Sequence, residues 1–143
     1  MTDATDRAGA IGPGVATGPR RLDAADPADL AGCLALSTTA GWNQTAADWS
    51  MMLDLGCAWG SDGPHPSGLV ASTLALPFSA ATGQPFAWIS MVLVTPDWRG
   101  RGLATRLVAE ALGWLRGQGL VAVLDATPAG FPVYRRLGFE PTW

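Results

Sequence analysis

A short turn rich in glycine and arginine, residues 99–105, is the part of this sequence best suited to chemistry. Its residues are Arg-Gly-Arg-Gly-Leu-Ala-Thr, and they stand between an apolar run and a segment with helical periodicity. The start of a helix carries unpaired backbone N–H groups and the positive end of the helix dipole, so it attracts anions. Gly100 and Gly102 would let a phosphate approach these N–H groups, and Arg99 and Arg101 add positive charge. The turn therefore predicts a site for a phosphate-bearing cofactor.

The elements on either side of the turn must hold it in position. The apolar run at 86–94 is nearly continuous, which predicts a strand covered on both faces. Apolar residues at helical spacing predict a helix over about 102–115 directly after the turn. Beyond it, the pattern indicates a strand at 120–125 and a short helix at 130–137.

The first half of the chain is expected to support this unit. It has patterns typical of a strand at 20–24, helices at 27–39 and 45–55, and strands at 57–60 and 69–77. Residues 1–19 are rich in Gly, Ala, Thr and Pro without periodicity, so we expect a flexible leader there. Residues 20–143 are then predicted to form a single domain.

Composition excludes several classes of function. The nine basic residues are all arginine, which rules out Schiff-base chemistry on lysine. The net charge is −3 and the basic residues form no cluster beyond Arg20-Arg21 and Arg135-Arg136, so nucleic-acid binding is not expected. One histidine and two cysteines do not supply a metal site, and we predict none. No apolar stretch reaches about 18 residues, so we expect no membrane partner and a cytoplasmic protein.

The motifs around the turn resemble those of the GNAT N-acetyltransferase superfamily. Residues 99–104 fit its R/Q-x-x-G-x-G/A pattern, and Val92, Val94 and Pro96 form the V-x-V-x-P run that precedes it. Residues 133–139 resemble the superfamily's closing L-Y-x-x-x-G-F motif. The resemblance is specific over 86–139 and extends from about residue 20. The chain is similar to the N-terminal acetyltransferase part of longer, two-domain members of that superfamily.

The resemblance implies an α+β fold with three layers. A mixed, mostly antiparallel sheet would have helices on both faces, and its parallel strands at 86–94 and 120–125 would splay apart. The family's sheet continues past the Gly-Phe pair with two more strands, whereas this sequence ends five residues after Gly138. We therefore expect the last strand to be missing or borrowed. Because an unpaired sheet edge invites a partner, we also expect a homodimer.

The resemblance further implies an enzyme that uses acetyl-CoA. It would transfer the acetyl group to a primary amine of a small molecule by direct attack in a ternary complex. Tyr134 falls where many members place a tyrosine near the cofactor sulfur, and a phenol with a pKa near 10 can protonate a departing thiolate. The cofactor-binding residues implied are Val92, Leu93, Val94, Arg99, Gly100, Arg101, Gly102, Leu103, Ala104 and Thr105.

The general base and the acceptor are not identified by the sequence. Many members carry a glutamate in the strand before the turn, but residues 86–91 contain no carboxylate. Ser90 could instead position a water, and Asp125 is the nearest carboxylate by topology. Trp42 and Asn43 lie in the region that borders the acceptor pocket in the family. Thr127 stands where many members have an asparagine that contacts the cofactor.

Two other functions remain open at this point. A non-catalytic domain that binds or senses acyl-CoA, or has a structural role, would explain the missing base. A dinucleotide-binding oxidoreductase would explain Gly100 and Gly102 before a helix, with Asp125 at the end of the next strand. Against the oxidoreductase, residues 95–99 separate the strand from the first glycine, and Thr105 takes the third glycine position.

Overall fold

A computed structural model describes residues 14–65 and 68–142 of the chain. The helices and strands in chain order are β1 (Arg20–Arg21), α1 (Pro27–Thr39), α2 (Ala46–Leu55), β2 (Cys57–Asp62), β3 (Leu69–Phe78), β4 (Phe86–Val94), a 3-10 turn (Pro96–Trp98), α3 (Leu103–Gln118), β5 (Val121–Val123) and α4 (Phe131–Arg136).

The strands form one sheet in the order β1-β2-β3-β4-β5. Neighbouring strands are antiparallel except β4 and β5, which run parallel. The parallel ladder joins only residues 86–88 to residues 121–123. Beyond Trp88, therefore, β4 has no ladder partner on its β5 side among the residues that the structure describes. The predicted α+β fold with a mixed, mostly antiparallel sheet is confirmed.

Helices cover both faces of the sheet. On one face, α1 and α2 pack on β2, β3 and β4 through Cys33, Leu36, Trp49, Leu53, Ala58, Leu74 and Leu93. On the other face, α3 and α4 pack on β3 and β4 through Ala71, Ala75, Ala87, Ile89, Leu107, Val108, Ala111, Leu115 and Tyr134. Burial on both faces explains why the sequence of β4 reads as an almost unbroken apolar run.

The first two helices begin where the sequence predicts because their capping residues are in place. The carboxylate of Asp26 accepts a hydrogen bond from the Ala28 N–H at 2.9 Å, with Pro27 in the first turn of α1. Thr45 and Asp48 form a reciprocal capping box at the start of α2. Such caps satisfy the N–H groups that a helix start leaves unpaired.

The beginning of the described chain is attached to β2. Thr17 and Asp62 exchange two hydrogen bonds, one from the Thr17 N–H at 2.8 Å and one to the Thr17 hydroxyl oxygen at 2.9 Å. Strand β2 itself runs two residues past its predicted end, because Ser61 and Asp62 pair with β3. Of the leader predicted at 1–19, residues 1–13 lie outside the described residues, and the part near Thr17 is fixed on β2.

An ion-pair cluster joins β1 to α1 and β2. The Arg20 guanidinium lies 2.8 Å from the carboxylate of Asp29 and 2.5 Å from that of Asp62. Burial alone would raise the pKa of Asp29, but hydrogen bonds from Arg20 and from the Asp23 N–H lower it on balance. The carboxylates of Asp29 and Asp62 raise the pKa of Arg20, and with the lowered pKa of Asp29 this keeps the Arg20–Asp29 pair ionised at neutral pH.

The C-terminal half differs from prediction mainly in the lengths of its elements. Helix α3 continues through Gly117 to Gln118 and ends at Gly119, whose φ is +68°. Strand β5 has three residues where six were predicted, because its pairing with β4 ends at Val123. Within residues 124–142 no further strand follows β5, which is the edge strand of the described sheet.

Candidate active site

A cavity of about 830 Å³ lies where β4 and β5 separate. Its walls are the second half of β4, the turn after it, the start of α3, the segment after β5, and the end of α1. Its volume is within the range of small-ligand sites. Every residue that the sequence predicts for a site lines this cavity except Arg101 and Asn43.

The turn before α3 has the geometry of an open anion site. Gly100 and Gly102 both have φ of +74°, a conformation that side chains rarely adopt. A Cβ added at either position would meet no atom of the described residues within 4 Å, so the space beside them is open. Gly102 is the N-cap of α3 and provides no side-chain cap, and the first turn contains no acidic residue. The N–H groups of Leu103, Ala104 and Thr105 therefore fit a phosphate group.

The two arginines of the turn have different positions. Arg99 lines the cavity, and its Nε donates a hydrogen bond to the Val94 carbonyl oxygen at 3.1 Å, which ties the turn to the end of β4. The Arg101 guanidinium lies 4.4 Å from the centre of the Trp98 ring and donates to the Asp97 carbonyl oxygen at 3.2 Å. Arg101 thus stabilises the outside of the turn and does not line the cavity.

Strand β4 contains a bulge at the floor of the cavity. In its ladder with β3, Ser72 pairs with Leu93 and Leu74 with Ser90, which leaves Met91 and Val92 unpaired. Met91 has a φ of +51°. Among the described residues, every other residue with a positive φ is a glycine. Its carbonyl oxygen accepts a hydrogen bond from the Ser72 hydroxyl at 2.8 Å.

Sequence reasoning missed this bulge. A left-handed residue is normally suggested by glycine, asparagine or aspartate, and methionine gives no such signal. Ser72 lies in a strand that reads as core, so its type alone does not distinguish it from a structural serine.

Tyr134 lines the cavity from α4 and is almost fully buried. Burial raises the pKa of its phenol above the usual value of 10.0, so the hydroxyl stays protonated at neutral pH. Its ring makes an edge-to-face contact with Phe139, with 6.0 Å between the ring centres. Gly130 permits this position, because a Cβ there would lie 2.8 Å from Cε2 of Tyr134. A protonated phenol at the cavity wall can donate a proton or a hydrogen bond.

The segment between β5 and α4 is held by Thr127. Its hydroxyl oxygen accepts a hydrogen bond from the Gly130 N–H at 3.2 Å. Thr127 also lines the cavity. One side chain therefore holds the start of α4 and occupies the position where the superfamily that the sequence resembles often has asparagine.

The end of the cavity near α1 has mostly apolar walls. Trp42 is 42% exposed there, whereas Asn43 is exposed and does not line the cavity. Asp125 is exposed and is the one carboxylate among the described lining residues. Sequence reasoning did not select the other lining residues at this end, Leu36, Thr39, Ala40 and Trp88, because their patterns are typical of packing.

Other kinds of site have less support. Among residues 14–65 and 68–142, no group of three or more potential metal ligands clusters. No helix in the same residues is long and apolar enough to cross a membrane. The mostly antiparallel sheet is not the parallel sheet on which the dinucleotide-binding alternative depends.

Comparison with known proteins gives a consistent family match. The sequence model of the acetyltransferase (GNAT) family matches residues 37–139. No curated protein matches the chain.

Solved structures with a similar fold include an acetyltransferase from Trypanosoma brucei, with 23% identity, a TM-score of 0.71, and coverage of 90% of this chain and 95% of that one. Glucosamine-6-phosphate N-acetyltransferase from Arabidopsis thaliana is 12% identical, with a TM-score of 0.70 over 91% of this chain and 95% of that one. A predicted acetyltransferase with acetyl-CoA from Clostridium acetobutylicum is 17% identical, with a TM-score of 0.71 over 90% of this chain and 92% of that one. At these identities the likeness concerns the fold.

Proposed function

The chain belongs to the acetyltransferase (GNAT) family and is an acyltransferase, and on this basis we propose that it transfers an acetyl group from acetyl-CoA to a primary amine of a small molecule. The observation that carries the proposal is the uncapped start of α3. Gly102 opens its N–H groups to the cavity beside the half of β4 that has no ladder partner toward β5.

The turn and β4 would hold two adjacent parts of the cofactor. The N–H groups at Leu103, Ala104 and Thr105 would bind the pyrophosphate, with Arg99 contributing charge from the cavity wall. Hydrogen bonds to a charged group are worth roughly 1.5–3 kcal/mol each. The backbone of residues 92–94 would receive the amide groups of the pantetheine arm, because this part of β4 lacks a strand on its β5 side.

Acetyl transfer requires polarisation of a carbonyl and protonation of a leaving group. Bound acetyl-CoA supplies the thioester, whose acetyl group the amine takes by direct attack in a ternary complex. The N–H of Val92, at the bulge in the cavity floor, would donate a hydrogen bond to the thioester carbonyl. Tyr134 would protonate the departing thiolate from the hydroxyl that burial keeps protonated. Orientation of the two reactants would supply much of the remaining rate.

The amine must lose a proton before it attacks. An alkylamine with a pKa near 10 is only about 0.1% neutral at pH 7, so the site needs a proton route. Asp125 is the carboxylate among the described lining residues and would attract an ammonium group to the cavity. Ser90 would hold a water that relays the proton, and Trp42 would contact the body of the acceptor.

The edge strand supports the expected homodimer. β5 lies at the edge of the described sheet, and Val121 at its start is 47% exposed. An unpaired strand edge can pair with a second copy of the chain. Sedimentation of a monomer at micromolar concentration would contradict this expectation.

Thermal unfolding tests the proposed cofactor directly. The purified chain is heated with acetyl-CoA, with CoA and with NADH. A ligand at about 100 times its dissociation constant stabilises a protein by roughly 2.7 kcal/mol, which raises the melting temperature of a domain of this size by several degrees. We expect the two CoA compounds to raise it and NADH to leave it unchanged. The absence of a shift with both CoA compounds would overturn the proposal, and release of thiol with a panel of amines then tests transfer.

A further inference from the structure

The backbone of Met91 has a conformation that residues with a side chain rarely adopt. Its φ of +51° is unfavourable for a residue with a side chain. Such conformations persist where surrounding contacts hold them, and they concentrate at functional sites. Neither ladder of β4 pairs Met91 or Val92 with a residue of a neighbouring strand.

Ser72 supplies a contact that holds the peptide. Its side chain is buried on β3, opposite Leu93, and its hydroxyl donates a hydrogen bond to the Met91 carbonyl oxygen at 2.8 Å. A trans peptide unit is planar, so its carbonyl and the following N–H point in opposite directions. Since the Met91 carbonyl points to β3, the Val92 N–H points away from β3. That is the side on which β5 has separated and where Val92 lines the cavity.

We infer that Ser72 is a positioning residue for acyl transfer. It acts through the Met91–Val92 peptide, whose N–H it directs toward the carbonyl of a bound thioester. This inference rests on the proposed function, since the Val92 N–H is the group proposed to polarise that carbonyl. Ser72 itself does not line the cavity.

The test compares the affinities of acetyl-CoA and CoA, which differ only in the acetyl group. Calorimetric titration gives both dissociation constants without requiring the acceptor. In the wild type we expect acetyl-CoA to bind more tightly than CoA. Ser72→Ala should reduce that preference by about threefold to tenfold, the worth of one neutral hydrogen bond, and leave the affinity for CoA unchanged.

Two matched variants separate positioning from general disturbance of the core. Ser72→Thr keeps the hydroxyl and should keep the preference for acetyl-CoA. Thr73→Val changes the next residue, which is fully buried and whose hydroxyl has no hydrogen-bond partner among the described residues, so the preference should not change. If Ser72→Ala does not fold, Ser72→Cys is used, with a weaker donor and an intermediate loss expected.

A change at Met91 tests the same idea from the other side of the hydrogen bond. Glycine adopts a positive φ without strain. In a Met91→Gly background, Ser72→Ala should therefore reduce the preference for acetyl-CoA less than it does in the wild type. Equal losses in the two backgrounds would contradict the role of Ser72 in holding this φ.

The outcomes distinguish this inference from the proposed function. If the wild type binds neither CoA compound, the proposed function fails and the inference fails with it. If the wild type binds both but shows no preference, or if Ser72→Ala retains the full preference, only the role of Ser72 is overturned.

Discussion

Gly102 and Gly119 provide a matched pair for testing the anion site. They flank the same helix, have φ of +74° and +68°, and would each place an added Cβ in open space. Only Gly102 lines the cavity. Replacement of each by alanine therefore imposes a similar backbone cost and differs in its effect on the site.

The expected loss of stability is the same for both variants. A left-handed conformation costs alanine about 1–2 kcal/mol, and the reduced freedom of the unfolded chain offsets about 0.4–1 kcal/mol of that. The net loss is about 1 kcal/mol, which lowers the melting temperature of a domain of this size by roughly 3 °C.

Binding of CoA should distinguish the two variants. In Gly102→Ala the methyl group would project beside the N–H groups of the first turn of α3 and keep the pyrophosphate away. Loss of one charge-assisted hydrogen bond, roughly 1.5–3 kcal/mol, weakens binding by about tenfold to a hundredfold. Gly119→Ala should bind CoA as the wild type does. Calorimetric titration measures both, and unchanged affinity in Gly102→Ala, or equal weakening in the two variants, would refute the anion site.

Three further predictions concern ionisable and buried groups. Tyr134→Phe should lower kcat for acetyl transfer by about a hundredfold with little change in KM for acetyl-CoA, and a wild-type kcat would contradict its role as the acid. The lowered pKa of Asp29 beside Arg20 contributes stability that is present above pH of about 4 and lost as pH falls. In urea unfolding, the free energy of unfolding of Asp29→Asn should therefore fall less between neutral and acid pH than that of the wild type. An equal fall in the two proteins would show that Asp29 does not contribute to the acid dependence. In the wild type, the buried indole nitrogen of Trp49 lies 2.9 Å from the Ser37 hydroxyl oxygen. Ser37→Ala should destabilise the fold by about 1–3 kcal/mol, because it leaves that indole N–H unpaired. An unfolding free energy within error of wild type would contradict this.

The fold was predictable from sequence where short-range signals agree. Asp26 and Thr45 cap helices that the apolar periodicity also predicts, and both helices begin beside these caps. The predicted end of α3, at about residue 115, falls short of the observed end at Gln118. Gly119 ends the helix, and the N–H of Gly119 bonds back to the Arg116 carbonyl oxygen at 3.2 Å.

The candidate site was predictable where glycine marks the backbone. Gly100 and Gly102 indicate left-handed positions, and the structure has both there. Charge alone does not distinguish the two arginines of the turn, since Arg99 lines the cavity and Arg101 does not. The guanidinium of Arg101 lies over Trp98 instead, a tertiary contact that depends on where the 3-10 turn places the ring.

The floor of the cavity shows why side-chain patterns do not locate this kind of site. Residues of β4 bury side chains on both faces of the sheet, among them Ile89 on one face and Leu93 on the other. Packing therefore accounts for the types of these apolar residues. The groups available for chemistry are instead backbone groups along the strand edge, which become available because pairing with β5 stops after Trp88. Where pairing stops depends on the path of β5, and the Met91 carbonyl oxygen accepts its hydrogen bond from Ser72 on the neighbouring strand. A site built from main-chain groups at a strand separation thus depends on contacts between distant segments, which a pattern along one strand does not contain.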